Sequence, residues 1–151
     1  FKGMTDAAKG YVAGMLDGEG HLYIRGEYEG ACYSRIRVRI TDECVVLHLK
    51  KLTGIGTLTS HMPKNRRKDG NAKRRVYEWT IGTRCEGKDL LTTILPYLVL
   101  KRRRAELILQ FESLKSQGIG NGTEVRDIIA MIAAESSPFR GTPRAGVRVQ
   151  V

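Results

Sequence analysis

Between Tyr33 and Ile40 the sequence alternates without a break: Ile36, Val38 and Ile40 fall on one parity, Arg35, Arg37 and Arg39 on the other. Side chains of a strand point alternately to opposite faces, so this octet reads as a strand with one dry face and one basic face. Three arginines side by side repel one another. Contact with phosphates or guanine edges relieves that repulsion, and bulk solvent is the alternative. The segment from His21 to Tyr28 alternates as well, Leu22 and Ile24 against Tyr23, Arg25 and Glu27, and Glu29-Gly30 supplies a turn. The two runs form a hairpin, and whatever else the chain builds must cover one side of it.

The covering elements are helical. Ala8, Tyr11, Val12, Met15 and Leu16 recur at helical spacing from Thr5 to Leu16, with Thr5 or Asp6 as N-cap. Gly10, Gly14 and Gly18 recur four apart in the same stretch, and Ala13 widens this small-residue face. Glycine weakens a helix, so the stripe implies close approach of another backbone. After Thr41 or Asp42, a helix through Leu52 carries Val45, Val46, Leu49 and Leu52, and Gly54 and Gly56 end it. Leu58 to Met62 reads as a strand and Val76 to Thr80 as the next, with Tyr77, Trp79 and Ile81 toward the core. Between them the stretch from Pro63 to Arg75 holds seven Lys or Arg and one Asp and reads as a hairpin loop. Helices follow over Asp89 to Leu95, stopped at Pro96, over Lys101 to Gln117, and over Glu124 to Ala134 behind Thr123. The tail after Pro138 holds three arginines and few core formers; wrapping on the surface, packing on a neighbour and disorder all remain open. The order predicts an α+β domain in which helices cover one face of an antiparallel sheet.

Composition narrows the function. In 151 residues, 26 Lys and Arg stand against 16 Asp and Glu, a formal charge of +10, with 41% hydrophobic and 28% charged residues. That suits one soluble domain spanning 1–151. The charge implies a polyanionic partner. A nucleic acid is favoured over a membrane because the basic residues do not line one side of an amphipathic helix. No apolar run approaches the ~20 residues of a membrane span, and an intracellular site in cytoplasm, nucleoid or organelle matrix is expected; because the chain opens on Phe1, organelle addressing stays open. Cys32, Cys44 and Cys85 lack metal-like spacing and are expected to be buried thiols.

The segment Val12-Ala13-Gly14-Met15-Leu16-Asp17-Gly18-Glu19-Gly20 resembles the LAGLIDADG motif of homing endonucleases. Ala13, Gly14, Asp17, Gly18 and Gly20 match a common form of it literally, and the others are conservative replacements. The αββαββα order over about residues 5–117 is similar to the family core; residues 118–151, a helix and a basic tail, lie beyond it. The resemblance implies that Glu19 is a metal ligand, aided by the Gly18 carbonyl and projected from a turn made by Gly18 and Gly20. Asp17 then caps a facing helix end. Mg²⁺ takes one or two protein carboxylates and keeps several waters, so each chain would bring one acid. Mn²⁺ or Ca²⁺ could replace Mg²⁺ for binding.

By the same resemblance Lys101 matches a lysine held beside the active site, and Asp42 falls where relatives order solvent, a role open beside simple capping. A peripheral basic residue of some relatives has no clear match, with Arg102 or Arg103 as a possible substitute. Alternation assigns Tyr23, Arg25, Glu27, Arg35, Arg37, Arg39, Thr59, His61, Glu78 and Thr80 to the base-reading face, where Glu27 or Glu78 either accepts from cytosine N4 or positions the arginines, while Lys64, Arg66, Arg67, Lys73 and Arg75 of the loop grip backbone. A single motif implies a homodimer through Gly10, Ala13, Gly14 and Asp17. The implied activity is Mg²⁺-dependent cleavage of a long, pseudo-palindromic duplex DNA, leaving short 3′ overhangs. No membrane and no small-molecule substrate are expected. The rival is a catalytically inactive DNA- or intron-RNA-binding protein on the same fold.

Overall fold

Thr5 sits in extended backbone and its hydroxyl accepts from the Ala8 amide at 3.2 Å, so the first helix, α1, starts at Asp6 and runs to Glu19. A computed structural model describes residues 1, 3–25, 32–63, 74–119 and 122–135. The motif thus lies inside α1 except for its last residue, Gly20, which opens β1 (Gly20–Arg25). Strand β2 is Tyr33–Ile40, as the alternation predicts. Helix α2 (Glu43–Thr53) leads to β3 (Thr57–His61), and β4 is Val76–Gly82. Helix α3 (Glu86–Ile94) begins three residues earlier than its apolar spacing suggests. It passes into a 3₁₀ turn over Leu95–Tyr97 that contains Pro96, then come α4 (Arg102–Ser116) and α5 (Thr123–Glu135).

The four strands are antiparallel in the order β1-β2-β4-β3. Register fixes the faces: His21 stands opposite Arg37, Tyr23 opposite Arg35, Arg37 opposite Thr80, Arg39 opposite Glu78, and Thr59 opposite Glu78 on the far side. The other parity is the core. Leu22, Ile36, Val38, Trp79 and Ile81 are buried there, with Val12, Ala13 and Leu16 of α1, Val46 and Leu49 of α2, Leu90, Leu91 and Ile94 of α3, and Ala105, Ile108 and Phe111 of α4. Each fully buried Leu or Ile contributes about 1.5–3 kcal/mol, which ties the helices to this one face. Helices α1 and α2 pack on the central strands, α4 on β1 and α3, and α5 on α4 and β1. The αββαββα order and the one-sided sheet agree with the sequence expectation.

Two local features depart from it. Only Cys32 is buried; Cys44 and Cys85 are exposed. Cys44 lies in the first turn of α2, where its Sγ donates to Asp42 Oδ1 at 3.3 Å, and Cys85 immediately precedes α3, so both sit at helix starts that face outward. The second is a buried polar cluster at the other end of the sheet from the motif. Ser34, Thr83 and Glu112 share hydrogen bonds, with Thr83 Oγ1 donating to Glu112 Oε1 at 3.2 Å. Buried polar groups persist when paired in this way.

Candidate active site and nucleic-acid interface

Helix α1 delivers Glu19 to its exposed C-terminal end. A carboxylate there opposes the helix dipole, and the last turn of α1 holds no basic residue of its own. Lys101 supplies the cation from a distant part of the chain. Its Nζ donates to Leu16 O at 2.7 Å and Asp17 O at 2.6 Å, capping the carbonyls that the helix end leaves free. Partial burial pushes the Lys101 ammonium below its ordinary pKa and Arg104 adds to this, while Asp17 and Glu19 act in the opposite direction. Among the described residues, no side chain bonds to the Glu19 carboxylate.

The Asp17 carboxylate holds Lys101 in place. Oδ2 accepts from the Val99 amide at 2.7 Å and Oδ1 from the Lys101 amide at 2.8 Å, which orders the turn into α4. Asp17 therefore caps a segment of its own chain, the start of α4, as the capping role expected of it requires. Ala13, grouped with the glycines by its spacing, is instead fully buried in the core of its own chain. Gly10, Gly14 and Gly18 do form an exposed stripe, with open space where each Cβ would stand. The turn after the motif depends on Gly20 alone. A Cβ at Gly20 would lie 2.5 Å from Leu16 O, whereas one at Gly18 meets nothing.

Asp42 is exposed at the N-terminus of α2, at the end of β2 that pairs with the start of β1. Its side chain makes no bond to the helix amides, so the capping reading fails. Arg102 and Arg103, the suggested substitutes for a missing basic residue, instead form exposed ion pairs with Glu106 at 3.6 and 3.7 Å. Arg104, next along the same helix, also pairs with Glu135 at 3.8 Å. It lines a cleft of about 440 Å³ with His21, Tyr23, Arg37 and Arg39, over a floor that includes Ile129 and Ile132 of α5. Arg104 also ties α4 to α5 through Ile132 O at 3.1 Å.

His21 is absent from the site residues expected from sequence, although the parity of Tyr23 and Arg25 already places it on their face. Enclosure in the cleft pushes its pKa down, and Lys101, Arg37, Arg39 and Arg104 push it further, so the imidazole is held neutral near pH 7. On the open face of the sheet the structure brings together Tyr23, Arg25, Arg35, Arg37, Arg39, Thr59, His61, Glu78 and Thr80. Arg75 lies just before β4 and its Nη1 donates to Ser60 Oγ at 3.3 Å, within its own hairpin. Glu27, Lys64, Arg66, Arg67 and Lys73 lie outside the described residues, as does the tail 136–151.

Glu19 meets the chemical demand of a hard divalent cation: an exposed oxygen ligand, without a protein partner among the described residues, at the negative end of a helix. One chain supplies only part of such a site. Among the described residues no three His, Cys, Asp or Glu side chains converge as a metal cluster. No helix of the described residues is long and apolar enough to cross a membrane.

No family model and no curated protein matches the chain by sequence. Solved structures do match. The archaeal intron-encoded homing endonuclease I-Vdi141I, complexed with DNA, superposes with a TM-score of 0.68 at 15% identity, over 93% of this chain and 90% of that one. The homing endonuclease I-CvuI, in complex with its target in the presence of Ca, gives 0.65 at 21% identity over 91% and 87%. The fold is that of the LAGLIDADG homing endonucleases. The LAGLIDADG meganuclease I-AabMI, bound to uncleaved DNA, matches with a TM-score of 0.62 at 16% identity, over 90% of this chain but only 46% of its own length. This chain therefore corresponds to about half of that meganuclease. In the LAGLIDADG fold seen here, the motif helix carries Glu19 to the rim of the sheet, and the sheet face beside it is basic.

Proposed function

We propose that the protein is a homodimeric, divalent-metal-dependent, site-specific endonuclease of duplex DNA. The observation that carries this reading is Glu19 at the bare end of α1, with the Lys101 ammonium fixed on that same helix end. Two chains related by a twofold axis through the exposed Gly10, Gly14 and Gly18 stripe bring two Glu19 carboxylates together over one duplex. Val99 and Leu100, 80% and 78% exposed beside Asp17, add apolar area to that contact. The target is long and pseudo-palindromic, and cutting leaves short 3′ overhangs.

Glu19 and the Gly18 carbonyl would hold Mg²⁺, with Mn²⁺ or Ca²⁺ as substitutes for binding. Mg²⁺ there would polarise a phosphoryl oxygen and lower the pKa of water. Lys101 offers its charge to the phosphate as negative charge develops. Asp42, exposed and without a bond to the helix amides, would order solvent. The open sheet face reads base edges in a major groove about 12 Å wide, through Tyr23, Arg25, Arg35, Arg37 and Arg39 with Thr59, His61 and Thr80. The loop cations Lys64, Arg66, Arg67, Lys73 and Arg75 hold backbone.

The test is a cleavage selection in which purified protein and Mg²⁺ act on a library of long duplexes and the cut ends are sequenced. Recovery of one near-palindromic site supports the reading. Salt-sensitive binding with no cutting would assign the chain instead to an inactive binder of DNA or, if folded intron RNA competes better than duplex, of RNA.

A further inference from the structure

The arginines of β2 are not independent. Glu78, across from Arg39 on β4, has a side chain only 14% exposed, and Arg37, Arg39 and Thr80 converge on it. Arg39 donates to Oε2 from Nε at 3.1 Å and from Nη2 at 2.9 Å. Arg37 Nε lies 3.2 Å from Oε1, and Thr80 Oγ1 donates to the same oxygen at 3.1 Å. Arg37 is held from its other side by Tyr23, whose hydroxyl accepts from Nη2 at 2.6 Å and whose ring centroid lies 5.1 Å from the guanidinium. Three hydrogen bonds occupy a carboxylate that has about four acceptor positions, and the Arg37 Nε, which faces Oε1 without forming a hydrogen bond, crowds the fourth and keeps a cytosine amine out. Burial alone would raise the Glu78 pKa, but the Arg39 hydrogen bonds and the Arg37 charge outweigh it and hold the carboxyl below its ordinary value.

We propose that Glu78 is a positioning residue that joins Arg37 and Arg39 into one base-reading unit, rather than a reader of bases itself. This rests on the reading of the open face as a duplex DNA surface. Arg39 has its Nε side taken by Glu78 and Arg37 is clamped between Glu78 and Tyr23, so each keeps its Nη1 hydrogens for the O6 and N7 edge of guanine. One carboxylate between two guanidinium groups also leaves the trio with a single net positive charge. That lowers the attraction to phosphates of any sequence and favours base contacts over indiscriminate ones.

The experiment compares wild type, Glu78→Gln, Arg37→Ala, Arg39→Ala and the double and triple combinations. Each is titrated against the duplex recovered by cleavage selection and against a random-sequence duplex of equal length, across a salt series. Glu78→Gln keeps the shape and removes the charge. We expect it to bind random duplex more tightly, with a log K against log salt slope steeper by about 0.9 or more, and to lose about tenfold in preference for the selected site. The Arg37→Ala and Arg39→Ala effects are expected to be non-additive in wild type and additive in the Glu78→Gln background. Damage to the fold moves random binding the other way, and a melting curve checks it independently. Arg39→Lys is the second variant: it keeps the charge, loses the two-donor fork, and is expected to lose preference with little change in slope. Overturning results are an unchanged preference with additive arginine effects, or a loss confined to one cytosine-containing base pair. A wild-type protein that prefers no duplex would overturn the DNA reading itself, and this inference with it.

Discussion

At the scale of single residues, the site is a balance of charge at one helix end. Glu19 opposes the dipole of α1 and Lys101 complements it, so their removal should have different signatures. Glu19→Gln is expected to retain DNA affinity and lose cutting, measured as single-turnover rate beside an equilibrium titration. Lys101→Met should slow cutting by on the order of 10²–10³, the usual effect of removing one group that stabilises developing charge. Glu78 gives a pH prediction. Its pKa in the folded chain is depressed below the ordinary carboxylate value, so its ion pairs stabilise fully above that ordinary value and are lost as pH falls through the lower folded one. A melting-temperature series in acid should therefore fall less steeply for Glu78→Gln than for wild type. Glu19 and the three arginines were legible from the motif and from strand parity. Lys101 as a helix cap was not, because its bonds to Leu16 and Asp17 span more than eighty positions and depend on how α4 docks.

At the scale of elements, α1 has two jobs on two faces. Val12, Ala13 and Leu16 face the core while Gly10, Gly14 and Gly18 face outward, and local spacing placed Ala13 with the glycines because it could not say which side the core would claim. The outward face and the turn that follows the helix respond differently to added bulk. Gly20→Ala, with its Cβ forced to 2.5 Å from Leu16 O, should cost about 1–3 kcal/mol in stability, read from denaturant unfolding. Gly14→Leu meets open space within the chain and should leave monomer stability nearly unchanged while abolishing dimers, measured by analytical ultracentrifugation. Strand β2 was legible to the residue because both its faces are patterned. Helix α3 was not, since its first turn, Glu86 to Asp89, is polar apart from Gly87 and gives no apolar spacing. Gly87 is buried there because a Cβ would collide with Gly82 O, a tertiary contact with no sequence pattern of its own.

At the scale of the molecule, the core that α1 to α4 share lies on one face of the sheet and the arginines of β1 and β2 stand on the other, in a chain of +10 formal charge. Binding should weaken steeply with salt, and combined loss of the loop cations Lys64, Arg66 and Arg67 should lower affinity for all sequences alike and flatten that dependence by about 0.9 per phosphate contact removed. The same loss should leave discrimination between sites intact, in contrast to Arg37→Ala. The alternating strand and the net charge made the one-sided architecture readable before any coordinates. The cleft shared by α5 and β1 was not readable, because it arises where two remote elements meet around Arg104. The proposed function turns on one chemical point, that the Glu19 carboxylate of α1 would hold the divalent cation on which cutting depends. It is tested most directly by single-turnover cleavage of the selected duplex in Mg²⁺, at protein concentrations that saturate binding, for wild type and Glu19→Gln side by side. The account predicts cutting by wild type that stops on chelation, and no cutting by the fully bound variant; equal cutting by both would contradict it.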